Sequence, residues 1–461
     1  MRTPILLLSL FALLGSCATA TTKEPQPAIV SGIAWFDQNN NEVNAHGTCI
    51  VKEGDLYYMF GEHKSDTSNA FTGFGCYSSA DLINWKFENV VLPVQADGLL
   101  GPNRVGERPK VMKSPSTGEF VMYMHCDNLG YKDQYIGYAT SKTIDGDYEF
   151  QGAIMMDGKP VRKWDMGTYQ DTDGEGYLLT HSGFIYALSD DYKSVDSIVV
   201  QGIVHGESPA MFKHNGLYYL LVSNLTSWER NDNSYLTAPS LEGPWTKMGH
   251  FAPEGTLTWN SQCTFVLPIY NETDTMFMYM GDRWSFPMQG SAATYVWQPI
   301  TLAEDGTMSI PEYQQAWKID FEKASWESVA LDFNKLNPQK VKTAGTWETT
   351  DGAFVSNEKG ATLTVSFTGR QLAVYGKSDK INGYARITLT DSEGKEILSN
   401  ILDFYSKYEI GGLKFLTPIL EQGNYTMTIE VLGTHGVWTD KSKTIFGSTD
   451  DYITITEIGT L

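Results

Sequence analysis

The chain of 461 residues is about three times the length of a typical single domain, so more than one folded unit is expected. It is 41% hydrophobic and 13% aromatic, which excludes a disordered chain. Its 34 basic and 55 acidic side chains give a net charge of −21, which argues against nucleic acid and leaves uncharged polysaccharide open as a partner.

Met1-Arg2-Thr3-Pro4 leads into an apolar run from Ile5 to Leu14, broken only by Ser9. That run is too short to cross a bilayer and suits the core of a signal peptide. Leu14-Gly15-Ser16-Cys17 resembles the lipobox of bacterial lipoproteins. The resemblance implies that Cys17 is lipidated and anchors the chain to the outer membrane of a bacterial envelope, on its periplasmic or outer face. An ordinary secretory signal cleaved near Ala18 or Ala20 is the alternative. Residues 1–17 then form the signal and 18–30 a polar linker. Contact with membrane is expected only through the lipid, and a monomer is expected. Cys49, Cys76, Cys126 and Cys263 show no C-x-x-C spacing and sit in apolar runs, which favours free buried thiols over bridges or zinc.

From about residue 31 to 316 one unit recurs: an apolar-aromatic strand, a polar turn, and further strands. Its marker runs begin at Tyr57, Phe120, Gly176, Leu217 and Met276. A period of this length predicts a β-propeller of five four-stranded blades, each needing its neighbours to bury both faces. Residues 317–345 read as a linker or wrapping segment. Residues 346–461 alternate at period two, as in Leu363, Val365 and Phe367 against Thr362, Thr364 and Ser366. This predicts an antiparallel β-sandwich. The fold class is therefore all-β, a five-bladed propeller followed by a sandwich. The second unit resembles the jelly-roll modules appended to bacterial glycoside hydrolases, which either bind carbohydrate or only pack.

Four segments put a polar group at the start of an innermost strand, where a propeller has its central funnel. They are Glu107-Arg108-Pro109-Lys110-Val111, Trp164-Asp165 through Asp171-Thr172-Asp173-Gly174, Gly206-Glu207-Ser208-Pro209-Ala210-Met211, and Asn260-Ser261-Gln262-Cys263. In this order they resemble glycoside hydrolase family 43 over about residues 32 to 310. The resemblance implies that Glu207 is the general acid and Asp165 the carboxylate that raises its pKa. Asp171 and Asp173 read as a turn between strands. Arg108 and Lys110 read as strand-edge charges or as partners for acids.

Typical members of that family carry a general-base Asp about ten residues before the first Tyr-Tyr pair; here that count lands on Gly47. The loss, together with Ala45-His46-Gly47, Phe60-Gly61-Glu62-His63-Lys64 and Met280-Gly281-Asp282-Arg283-Trp284, resembles the exo-β-1,3-galactanase subgroup. In that subgroup a Glu or Gln on the fifth blade takes the base position, which implies Gln262. An amide is a poor base, so two schemes stay open: Gln262 positions or activates the water, or Glu107 accepts its proton. His46, Glu62, Glu107, Trp228 and Arg283 are implied as substrate-binding residues. Core packing is the plainer alternative for His46, and an ion pair with Asp165 for Arg283.

The expected activity is inverting, exo-acting hydrolysis of β-1,3-linked galactan, such as an arabinogalactan backbone, releasing galactose or substituted galactose. An α-L-arabinofuranosidase or β-xylosidase of the same fold and a non-catalytic glycan-binding lipoprotein are the alternatives. No cofactor and no catalytic metal are expected, with a structural cation on the propeller axis left open.

Overall fold

Each of the five marker runs lies in a strand paired antiparallel with the first strand of its sheet. The computed structural model describes residues 24–461, so Cys17 and the rest of the signal lie outside the described residues. The described chain is nearly all β.

Five sheets follow one another in sequence. Their first strands are His46–Glu53, Arg104–Lys113, Met166–Gln170, Glu207–His214 and Gln262–Tyr270. Each first strand packs against the next, and Gln262–Tyr270 returns to pack on His46–Glu53. A separate hydrophobic cluster fills each gap. Met122 and Met124 on the second sheet face Phe60 and Cys76 of the first, whereas Val121 and Tyr123 face Leu178 and Tyr186 of the third. Both faces of a strand are thus buried, which explains why Phe120–Met124 is apolar without interruption. The gap between the fifth and first sheets holds Met278, Trp297, Ile50 and Met59.

The sheets are not uniformly four-stranded. The fifth has three strands, Gln262–Tyr270, Thr275–Arg283 and Thr294–Pro299; beyond Pro299 the chain folds on itself, pairing Thr301–Leu302 with Met308–Ser309. The third gains Met155–Met156 and Lys159–Pro160 at its edge. Ile29–Val30 pairs with Ala316–Asp320, joining the start of the described chain to the segment after the fifth sheet. All four cysteines from Cys49 to Cys263 are free and buried.

The C-terminal part holds two sheets around one core. Leu363, Val365 and Phe367 on one sheet meet Leu372, Val374, Ile453 and Ile455 on the other, while Thr364 and Ser366 point away. This unit docks on the first through an apolar cluster, Val30, Ile33 and Ala316 against Ala373, Leu413 and Leu416, and through polar contacts. Ser285 Oγ donates to Asp403 (2.8 Å), Tyr405 OH to Glu229 (2.5 Å) and Asn400 Nδ2 to Glu42 (2.6 Å).

Candidate active site

Four of the five first strands are bulged where they enter the ring. The register slips between His46 and Cys49, Glu107 and Lys110, Glu207 and Ala210, and Cys263 and Phe265. Gly47, Arg108 and Ser208 take left-handed φ values of 64°, 52° and 55°. For the two non-glycine residues this conformation costs roughly 1–2 kcal/mol each. A bulge frees a main-chain N–H from the ladder, and a buried N–H needs a partner. A side chain from the preceding sheet in the ring supplies it each time. Gly47 N donates to Asp282 Oδ2 (3.1 Å), Arg108 N to Glu62 Oε1 (2.9 Å), Ser208 N to Asp165 Oδ2 (3.1 Å), and Cys263 N to Asn233 Oδ1 (2.8 Å). These bulges aim Arg108, Glu207 and Gln262 into one cleft of about 700 Å³.

Arg108 stands at the centre. Its Nε donates to Asp165 Oδ1 (3.2 Å) and one terminal nitrogen to Gln262 Oε1 (2.7 Å). Gln262 Oε1 also accepts from Trp284 Nε1 (2.8 Å), while Nε2 donates to Glu207 Oε1 (3.1 Å) and Ser223 Oγ (2.9 Å). Burial and, next, the charge of Asp165 push Glu207 well above the usual carboxylate range.

A second cluster surrounds Glu107. Its Oε1 accepts from Tyr131 OH (2.7 Å) and Lys64 Nζ (3.3 Å), and its Oε2 lies 3.3 Å from His125 Nδ1. Burial alone would raise Glu107, but Lys64 and His125 outweigh it and hold this carboxyl well below its ordinary value. Lys64 also sits 2.7 Å from Glu62 Oε2; burial and the Glu107 charge keep Glu62 raised despite it. His125 is lifted to about 9, because hydrogen bonds to Asp127 and Glu107 overcome its burial. Glu107, His125 and Asp165 offer ligand atoms within 4.8 Å of one another, the only such trio among the described residues. Lys64 and Arg108 pair with two of these residues, Glu107 and Asp165.

Glu62, Glu107, Asp165, Glu207, Trp228 and Gln262 therefore share the cleft, as the sequence motifs imply. Glu62 Oε1 caps Arg108, and its Oε2 lies 2.7 Å from Lys64 Nζ. Two implied binding residues do not line the cleft. His46 is fully buried, stacked on Tyr295 at 4.5 Å with Nδ1 3.3 Å from Asp282. Arg283 donates to the carbonyls of Gly32, Trp259 and Asn260 and faces another cavity. The cation beside Asp165 is Arg108, not Arg283. Lys110 is no strand-edge charge: it is fully buried and donates to the Gly47 carbonyl. Asp171 and Asp173 do form a turn, with Asp171 held by Lys213 and Tyr218.

The sequence motifs left Lys64, His125, Tyr131, Trp284 and Phe286 without a role. Lys64 and Trp284 stood inside quoted motifs. His125 had a fainter signal, a polar residue directly after the unbroken apolar run Phe120–Met124. Trp228 lies parallel to Phe286 (5.8 Å) and edge-on to Trp284 (5.3 Å), and the three rings form an aromatic wall suited to a pyranose face.

Solved structures of similar proteins cover nearly the whole chain. An exo-beta-1,3-galactanase from Phanerochaete chrysosporium, crystallised with galactose, is 27% identical with a TM-score of 0.67, covering 94% of this chain and 99% of that one. An exo-beta-1,3-galactanase from Clostridium thermocellum is 26% identical with a TM-score of 0.60, covering 95% and 97%. A variant of the Phanerochaete chrysosporium enzyme was solved with beta-1,3-galactotriose and matches at 27% identity with a TM-score of 0.68, covering 94% and 100%. No curated protein sequence matches this chain. The model of glycosyl hydrolases family 43 matches residues 41–307, more than half of the chain, with the bulged strands and Glu62, Glu107, Asp165 and Glu207 inside the match; the chain belongs to that family.

Proposed function

We propose that the protein is an inverting, exo-acting β-1,3-galactanase that works on an arabinogalactan-type backbone and releases galactose or substituted galactose. The observation that carries this reading is the opposed tuning of two carboxyls in one cleft. Glu207 is pushed up and Glu107 is held down, and such divergence is how an acid and a base are told apart. Glu207 protonates the leaving oxygen, with Asp165 as the charge that keeps its proton on. Glu107 stays ionised and takes the proton of the attacking water. Gln262 lies within hydrogen-bond reach of the acid itself, at 3.1 Å, and inverting pairs stand roughly 6.5–9.5 Å apart to admit water. It therefore acts by holding Glu207 in place, rather than as the base. Galactan as the substrate is supported by the galactose and galactotriose held by the similar proteins and by the aromatic wall.

The five sheets packed in a cycle support a five-bladed propeller over residues 31–316. The two facing sheets support a jelly-roll-like sandwich over 346–461. The lipobox supports tethering through Cys17: Cys17→Ser should move the protein from the membrane fraction to the soluble one.

The deciding experiment is reducing-sugar release from β-1,3-galactan. Glu207→Gln should lower it by at least ~10²-fold. Turnover that survives that substitution, or a nitrophenyl panel that favours α-L-arabinofuranoside or β-xyloside, overturns the assignment. Proton NMR of fresh product should show the α-anomer first; β-anomer first would mean a covalent intermediate.

A further inference from the structure

A second cavity, of about 460 Å³, lies between the ring of sheets and the C-terminal sheets. Three cationic side chains, Arg230, Arg283 and Lys414, reach its wall. Enclosed cations are ordinarily paired with carboxylates, but none of these three, Arg230 buried and Arg283 and Lys414 half-buried, has a carboxylate within hydrogen-bond reach. Arg230 is 2% exposed, and its Nε has no partner. Its nearest acid, Glu229, lies 3.8 Å away, beyond hydrogen-bond reach. Arg283 donates to main-chain carbonyls and meets the Tyr313 hydroxyl, and Lys414 Nζ donates to Ser378 Oγ (2.6 Å).

The acids nearby are engaged elsewhere. Glu229 accepts from Tyr405 OH (2.5 Å) and from Arg230 main-chain N (3.1 Å). Asp403 accepts from Ser285 Oγ (2.8 Å) and from Tyr405 N (2.8 Å). Burial and the charge of Arg283 bring Lys414 down to about 7, against the opposing charge of Asp403. Glu409, also on the wall, pairs with Lys377 (3.3 Å), so the three cations keep no carboxylate within hydrogen-bond reach.

We infer that this cavity binds a sugar carrying a carboxylate, with Arg230 and Lys414 taking the anion. Trp259, Tyr313 and Tyr408 on the same wall supply ring faces for the pyranose. The volume falls within the range of small-ligand pockets, roughly 300–1,000 Å³. The site is separate from the Glu207 cleft and stands whether or not that cleft hydrolyses galactan.

Titration calorimetry of the full-length protein with methyl β-glucuronide tests the inference, with methyl β-galactoside and inorganic sulfate as parallel titrants. The glucuronide should bind at one site, and the neutral galactoside should not compete with it. Lys414→Gln should weaken binding by at least about tenfold, the equivalent of one lost charge-assisted contact. Arg230→Gln should weaken it further; should that variant fail to fold, Lys414→Gln decides alone. Glu207→Gln should leave the affinity unchanged, which separates this site from the catalytic cleft. No glucuronide binding at millimolar concentration, sulfate binding as tightly as the glucuronide, or wild-type affinity in Lys414→Gln overturns the inference.

Discussion

Gln262 stands between Arg108 and Glu207, taking a hydrogen bond from the first at 2.7 Å and giving one to the second at 3.1 Å. With Trp284 and Ser223 as its other partners, every hydrogen-bonding position of the amide is occupied. An amide so placed insulates: it keeps a guanidinium from pairing with the acid whose proton the reaction needs. The same four bonds leave it no free lone pair with which to serve as a base.

Gln262→Ala should therefore act on the pH profile as well as on the rate. Arg108 would reach Glu207 and lower its pKa. Activity that needs protonated Glu207 is lost as pH rises through that pKa, so the alkaline limb should move to lower pH. The rate near neutrality should fall by ~10²-fold, with galactan binding nearly kept. Gln262→Glu should do the opposite, adding a like charge beside Glu207 and moving the limb upward. A wild-type profile in both variants would show that the amide is structural.

Asp165→Asn tests the source of the raised acid. Burial of Glu207 would persist but the neighbouring charge would be gone, so its pKa should fall and the alkaline limb should move down. The asparagine oxygen can still accept from Ser208 N, which keeps the bulge in place. A loss of at least ~10-fold in kcat near neutral pH is expected. An unmoved limb would mean that burial alone sets the acid.

Lys64→Met tests the other carboxyl. Lys64 is shared between Glu62 and Glu107, and its charge is the chief force opposing their burial. Without it the two acids would compete for one proton, and Glu107 should rise. Activity that needs ionised Glu107 is lost as pH falls through its pKa, so the acidic limb should move to higher pH. If that limb stays where it is, Glu107 is not the proton acceptor.

Strands such as Phe120–Met124 and Leu217–Leu221 were legible in the sequence because two buried faces leave an unbroken apolar run. The acids were legible where a motif keeps them a few residues apart, as with Glu207 and its Pro-Ala-Met. Contacts between distant segments were not. Glu62 caps Arg108 across 46 residues and Arg108 reaches Gln262 across 154, so each pairing exists only once the ring is assembled. Gly47 shows the same limit. The sequence marks it as a missing acid, but the structure shows that a Cβ there would collide with Glu62 Oε1 and press tightly on the Arg108 main chain. The width of the fifth sheet was also hidden, because nothing local to Thr301–Leu302 says that it pairs with Met308–Ser309 rather than with its neighbour in the sheet.

The C-terminal sheets contribute to the cleft as well as packing beside it. Val437–Thr439 pairs with Ile445–Gly447, and the hairpin brings Trp438, Asp440 and Lys441 to the cleft wall. Lys441 Nζ reaches the carbonyl of Tyr131 (3.4 Å), the residue whose hydroxyl holds Glu107. The close approach of Gly436 to the Phe286 carbonyl seats this hairpin against the aromatic wall; a side chain there would strike that carbonyl. An end wall made by a separate unit should matter for sugars beyond the one being cleaved. Asp440→Ala with Lys441→Ala should therefore raise KM for β-1,3-galactotriose several-fold while leaving kcat/KM for nitrophenyl β-galactoside near wild type. The two substitutions lie on a partly exposed turn, so a stability change within about 1 kcal/mol is expected and should not confound the comparison. Equal loss on both substrates would show that the hairpin only supports the fold, and no loss on either would show that the substrate does not reach it.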